Sequence, residues 1–164
     1  MFAAFVRDRF ADTGSTIEDA AAGHLVAITH GHPYATQELA YFTWELVPKH
    51  GVADAGDVDS ALVTMLRSQH NNLARIWELA TRNERLVLLA LSNEPLNLYA
   101  EATRDRFGLP APTFVQRAVR ALVREDVVQK ERGGRYLIAE PFLDEWIKRQ
   151  QRAGGVAAAR QLGG

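Results

Sequence analysis

Apolar residues along the first half of the chain recur at helical spacing and are interrupted by short polar or glycine-bearing breaks. Phe2, Phe5, Val6 and Phe10 fall on one stripe of a helix, because residues three and four apart share a face. Asp12-Thr13-Gly14 breaks that stripe. Ser15 and Glu18 then make an S-x-x-E capping box, which predicts a helix through Ala20, Ala21, Leu25 and Ile28 that stops at Gly31. Pro33 suits the first turn of a third helix, where its missing N–H leaves nothing unsatisfied. Tyr34, Leu39, Phe42 and Leu46 populate that helix, and Pro48 with Gly51 ends it. Residues 52–56 read as a loop of small side chains. Asp57 or Asp59 is expected to cap one long helix with Val58, Leu62, Met65, Leu66, Leu73, Ile76 and Trp77 on its buried side.

The pattern changes after Thr81. Thr81 and Glu84 form a second capping box, followed by Leu86, Val87, Leu89, Ala90 and Leu91 and a stop at Asn93-Glu94-Pro95. A short helix around residues 97–107 ends at Gly108. After a turn at Leu109-Pro110-Ala111-Pro112, Thr113 opens a helix with Val115, Ala118, Val119, Leu122 and Val123 facing inward. Residues 127–132 and 135–138 flank Gly133-Gly134, which accepts the positive φ of a tight turn and predicts a β-hairpin. Pro141 starts a closing helix carrying Phe142, Trp146 and Ile147. Three helices, a hairpin and a final helix, in that order, are a winged-helix arrangement. The expected fold is therefore mainly α: a small helical bundle over 1–80, a winged-helix domain with one β-hairpin over 81–149, and a flexible tail over 150–164 that is rich in Gly, Ala, Gln and Arg.

Composition narrows the function classes. The 164 residues include no cysteine, which excludes disulfides, thiolate zinc sites and a cysteine nucleophile. Arg7, Asp8 and Arg9 interrupt the start as a signal-peptide core, and no apolar run approaches the roughly 20 residues of a bilayer span. A cytoplasmic protein without membrane contact is expected. Charge is unevenly spread: residues 1–80 hold five Lys/Arg against ten Asp/Glu, and residues 81–164 hold fourteen against ten. The second half, at +4, suits a polyanionic or acidic partner, although a chance spread of surface charge gives the same figure.

The helix from Thr113 stands in the recognition position. Thr113, Gln116, Arg117, Arg120 and Arg124 point away from its apolar side, and Arg117, Arg120 and Arg124 share one face. Arg and Gln make bidentate contacts to guanine and adenine in the major groove, and Lys130, Arg132 and Arg135 of the wing would reach phosphates. The same face could instead dock a protein or simply be solvated, and Glu125, Asp126 and Glu131 dilute its charge. His30 and His32 form a His-x-His pair, but no further ligand sits at zinc spacing, so no metal site is expected. A phosphate-cradling loop and a serine nucleophile elbow are both missing from the sequence, so the chain by itself is not expected to be an enzyme.

Thr29-His30-Gly31-His32-Pro33-Tyr34-Ala35-Thr36-Gln37-Glu38-Leu39, followed by Trp44-Glu45, resembles the GGHPYxxQ…W stretch of archaeal-type P-loop ATPases in the broader AAA+/STAND class. Residues 135–149, with Tyr136, Pro141-Phe142, Trp146-Ile147 and Arg149, are similar to the YxxxDPFxxxWL ending of the winged-helix domain in the same proteins. The resemblance covers nearly all of residues 2–149, with His30-Gly31 standing where the family shows Gly-Gly. It implies that the first half is an AAA+-type helical lid, with Gly31, His32 and Pro33 packing against the adenine side of ATP or ADP. That nucleotide would be held by a P-loop ATPase core expected before residue 1. The chain would then need no cofactor alone, and its winged helix would contact double-stranded DNA or a protein. The alternative is a stand-alone winged-helix DNA-binding transcriptional regulator.

Overall fold

The computed structural model describes residues 2–93 and 97–161, with side chains up to residue 154. The chain divides into two compact units, Met1–Asn71 and Asn72–Gly164.

In the first unit, α1 (Phe2–Asp12), α2 (Asp19–Ile28), α3 (Pro33–Leu46) and α4 (Ala55–Ser68) pack around Val6, Phe10, Leu25, Leu39, Leu62 and Met65. The Ser15–Glu18 capping box does not form. Thr16–Ile17 is instead a short strand, β1, paired in parallel with β2 (Val52–Ala53), which lies inside the stretch expected to be a plain loop. The backbone N–H groups of Thr16 and Glu18 are spent on Gly51 and Ala53 carbonyls, at 2.9 and 3.0 Å. The helix therefore starts only at Asp19, with Glu18 in extended backbone and no side-chain cap. The α2–α3 junction follows the expected stop and start. Gly31 has φ +67°, which a side chain rarely tolerates, and Pro33 opens α3. Between the two helices the hydroxyls of buried Thr29 and Thr36 share a 2.8 Å hydrogen bond.

The long helix from Asp57 is two helices. Asp54, not Asp57 or Asp59, is the N-cap of α4, and Asp57 returns a carboxylate to the Asp54 N–H. The helix ends at Ser68, where the Ser68 hydroxyl donates back to the Met65 carbonyl and the Gln69 side-chain amide donates to Glu38 of α3 at 3.1 Å. A separate helix, α5 (His70–Leu79), follows. It lies almost wholly in the second unit, where Trp77 packs against Trp146 with ring centroids 6.1 Å apart.

The second unit continues with α6 (Arg82–Leu91), α7 (Glu101–Phe107), α8 (Pro112–Arg124), the antiparallel strands β3 (Val128–Lys130) and β4 (Tyr136–Ile138), and α9 (Pro141–Gln161). The Thr81–Glu84 capping box forms: the Thr81 N–H donates to Glu84 at 2.7 Å, and the Thr81 hydroxyl accepts from the Glu84 N–H at 3.4 Å. The expected stop at Glu94-Pro95 lies outside the described residues, and α6 already ends at Leu91. α7 begins later than its apolar pattern suggests, because Asn97 accepts the Tyr99 N–H and holds a turn ahead of it. Pro112 rather than Thr113 opens α8. Val123, expected inside, is 37% exposed. The hairpin has a three-residue loop, closed by Glu131 N–H to Arg135 carbonyl at 2.8 Å, and Gly133 and Gly134 carry φ of 105° and 86°. The final helix runs on to Gln161 where a tail was expected from residue 150. On its inner face Lys148 pairs with buried Asp144 at 2.8 Å and with Glu145 at 3.2 Å. Burial alone would lower the Lys148 pKa, but the two carboxylates outweigh it and the net shift is upward.

Two substitutions separate local from tertiary stabilisation in the second unit. Thr81→Ala, which removes the α6 cap, is expected to cost about 1 kcal/mol. Leu122→Ala, which opens a cavity where α8 is fully buried, is expected to cost about 2–5 kcal/mol. Urea unfolding followed by tryptophan fluorescence and circular dichroism measures both, and equal losses would contradict this ordering.

Candidate nucleic-acid interface

The interface is set by how α8 is buried. Val115, Ala118, Val119 and Leu122 turn inward against α6, with Val87, Leu88 and Leu91 among the buried residues of that partner helix. A stripe at three- and four-residue spacing leaves the opposite stripe outside. Thr113, Gln116, Arg117, Arg120 and Arg124 occupy that outer stripe and are all exposed. The strand β3 packs against α8, and exposed Lys130, Arg132 and Arg135 sit on or beside the loop that β3 and β4 form. The structure thus brings together the α8 residues on one helix face and the wing residues on the adjoining hairpin.

Local contacts order several of these cations. The Arg117 guanidinium lies 5.9 Å from the Phe114 ring centroid, and the Lys130 ammonium 5.7 Å from that of Tyr136. Such stacking holds a side chain without neutralising it. Arg124 approaches Glu125 at 3.9 Å with both groups largely exposed, a pairing of little energetic consequence. Burial of the Tyr99 phenol, then its proximity and hydrogen bond to Tyr136, raise its pKa, and the positive charge of Arg120 acts in the opposite direction. Tyr99 therefore ties the turn before α7 to the wing and stands within electrostatic reach of α8.

Sequence reading missed Phe114, Tyr99 and Tyr136. Phe114 is 50% exposed at the start of α8. Its place one residue before inward Val115 and three before Arg117 was the available signal, since that offset turns it away from the core. Nothing in the sequence pairs Tyr99 with Tyr136, which are 37 residues apart.

Gly31, His32 and Pro33 lie in the other unit, at the start of α3. His30 and Gly31 are both left-handed, with φ of 50° and 67°, so His30 holds a backbone conformation that glycine adopts more readily. His32 caps α3, its Nδ1 accepting the Ala35 N–H at 3.4 Å, and the His32 and Pro33 side chains are exposed. A Cβ on Gly31 would meet the Phe2 ring at 3.5 Å. The capping contact occupies His32 Nδ1 as an acceptor. Among the described residues no group of three or more His, Asp or Glu is placed to hold a metal ion, and no helix is long and apolar enough to cross a membrane.

No curated protein and no solved structure matches the chain. Residues 71–149 match a family model described as a probable winged helix domain, a stretch that runs from α5 into the first part of α9 and includes the cationic face of α8 and the wing.

Proposed function

We propose that the winged-helix domain binds double-stranded DNA, with α8 entering the major groove and the wing lying over the phosphates. The observation that carries this reading is the exposed line of Thr113, Gln116, Arg117, Arg120 and Arg124, backed by an apolar face that fixes its orientation. Gln116 and Arg117 are suited to base edges, while Arg120, Arg124 and the wing cations Lys130, Arg132 and Arg135 are suited to phosphates. The chain acts by binding, and no catalytic step is assigned to it. A winged helix that docks a protein through the same face is the outcome to be excluded.

Fluorescence anisotropy of a labelled duplex of about 20–30 base pairs tests this. For about five phosphate contacts, affinity is expected to fall roughly 10²- to 10³-fold between about 50 and 200 mM salt. Arg117→Glu with Arg120→Glu is expected to abolish binding. Arg135→Gln is expected to weaken it on all sequences alike and to lower the salt slope by about one contact. A lack of enrichment of any sequence from a randomised duplex pool, together with no binding of the pool at tens of micromolar, would reject the DNA reading in favour of protein docking.

A second reading concerns the first unit: an AAA+-type lid that closes Gly31, His32 and Pro33 over ATP or ADP held by a P-loop core, making the chain one part of a larger ATPase. It is favoured by the left-handed His30-Gly31 path and by the exposed His32-Pro33 edge. Added to a purified core of the resembled ATPase class, the chain is then expected to tighten nucleotide binding, and His32→Ala with Pro33→Ala to cancel the gain. Unchanged nucleotide affinity would leave the stand-alone DNA-binding regulator as the account of the whole chain.

A further inference from the structure

The first unit carries a concavity that neither reading uses. It lies between α1 and α3, has a volume of about 380 Å³, and is walled by Phe5, Phe10, Tyr41 and Trp44. That volume is within the range of small-molecule sites. Two of its walls are exposed aromatic rings, Tyr41 at 54% and Trp44 at 37%, yet both are held in place. The Trp44 indole N–H donates to the Thr13 hydroxyl at 2.9 Å, and the Tyr41 hydroxyl donates to Glu45 at 2.6 Å. The two rings stand 6.0 Å apart at a 37° tilt. Anchored rings keep a cleft open at little entropic cost on binding, which is what a preformed site needs.

Charge selects among occupants. Arg9 is the one charged side chain among the residues that line the cleft, and Gln37, Thr13 and the Tyr41 hydroxyl are its other polar linings. The Arg9 guanidinium is stacked 5.3 Å from the Phe5 ring centroid, which places it against a wall of the cleft. Its partner Asp12 is 3.7 Å away with both side chains about two-thirds exposed, so that pair leaves most of the Arg9 charge available. The nearby Glu45 carboxylate is engaged by Tyr41.

We infer that this cleft binds a small planar aromatic anion, its ring lying in the cleft against Tyr41 and Trp44 of α3 and Phe5 of α1, and its carboxylate, sulfonate or phosphate on Arg9. The site stands independently of DNA or nucleotide binding.

The probe is 1-anilinonaphthalene-8-sulfonate, compared on the full chain with N-phenyl-1-naphthylamine, which has the same rings and no charge. The sulfonate is expected to bind at one site per chain and to transfer energy from Trp44. Arg9→Gln and Gln37→Glu, both at exposed positions, are expected to weaken it about five- to tenfold and to leave the neutral probe unaffected. Trp44→Leu is expected to weaken both probes, with circular dichroism checking that the fold is kept. Arg67→Gln, on α4 outside the cleft, is the charge control and is expected to change nothing. Equal affinity for the two probes, or indifference to Arg9→Gln and Gln37→Glu, overturns the anion assignment. Sedimentation equilibrium showing a dimer that Trp44→Leu dissociates overturns the small-molecule site, since a second copy would then fill the cleft.

Discussion

The burial of one face of α8 against α6 is the constraint on which the second unit depends. Val115, Val119 and Leu122 are at most 1% exposed, as are Val87 and Leu88 of the facing helix. Each such side chain contributes about 1.5–3 kcal/mol of burial free energy. Rotating α8 by a single residue would bring Gln116 and Arg120 inward, where an uncompensated charge costs several kcal/mol. The outward display of the arginines is thus a consequence of core packing rather than a separate feature of the surface. The hairpin is held by the same arrangement, because β3 packs on α8 and β4 on α6.

Elements written in local sequence chemistry could be read directly. The Thr81 box, the Gly108 stop (φ +64°), the Pro33 start and the Gly133-Gly134 turn each use groups within a few residues of one another, and all four form. The outward stripe on α8 was equally readable, since it is the complement of an apolar stripe. What escaped the reading was long-range. The β1–β2 pairing joins residues 36 apart and takes the Glu18 N–H that a Ser15 cap would have needed. The break at Gln69 has no glycine or proline to announce it, and rests on a side-chain contact with Glu38 on another helix. The division between units likewise follows packing, with Trp77 meeting Trp146, rather than the capping signal at Thr81.

The first unit shows how small polar groups specify a helical packing. Thr29, Thr36 and Thr43 are fully buried, and each hydroxyl is satisfied: Thr29 and Thr36 by one another, Thr43 by the Leu39 carbonyl. Threonine and alanine on the inner face of α3, with Ala35 and Ala40, keep that face narrow. The bulky rings Tyr34, Tyr41 and Trp44 are consequently displaced to its outer side. An apolar count along α3 would place them in the core. Their exposure follows from the size of the residues that occupy it instead.

The charge distribution bears on how selective a DNA contact through α8 would be. The second half exceeds neutrality by only four charges, and Glu125, Asp126 and Glu131 are exposed close to the α8–wing cations. Phosphate attraction scales with the number of neutralised phosphates, so a diluted patch gives weak non-specific binding at physiological salt. Useful affinity then has to come from contacts that discriminate bases. The start of α8 is the part suited to them: Pro112 fixes its first turn, Phe114 stands half exposed, and the Phe114 ring steadies Arg117. An arginine pre-ordered by stacking loses less rotamer freedom on meeting guanine, and an exposed phenyl group can meet a thymine methyl. A sparse positive field with an ordered helix start favours a reader of particular sequences over a general DNA-coating protein.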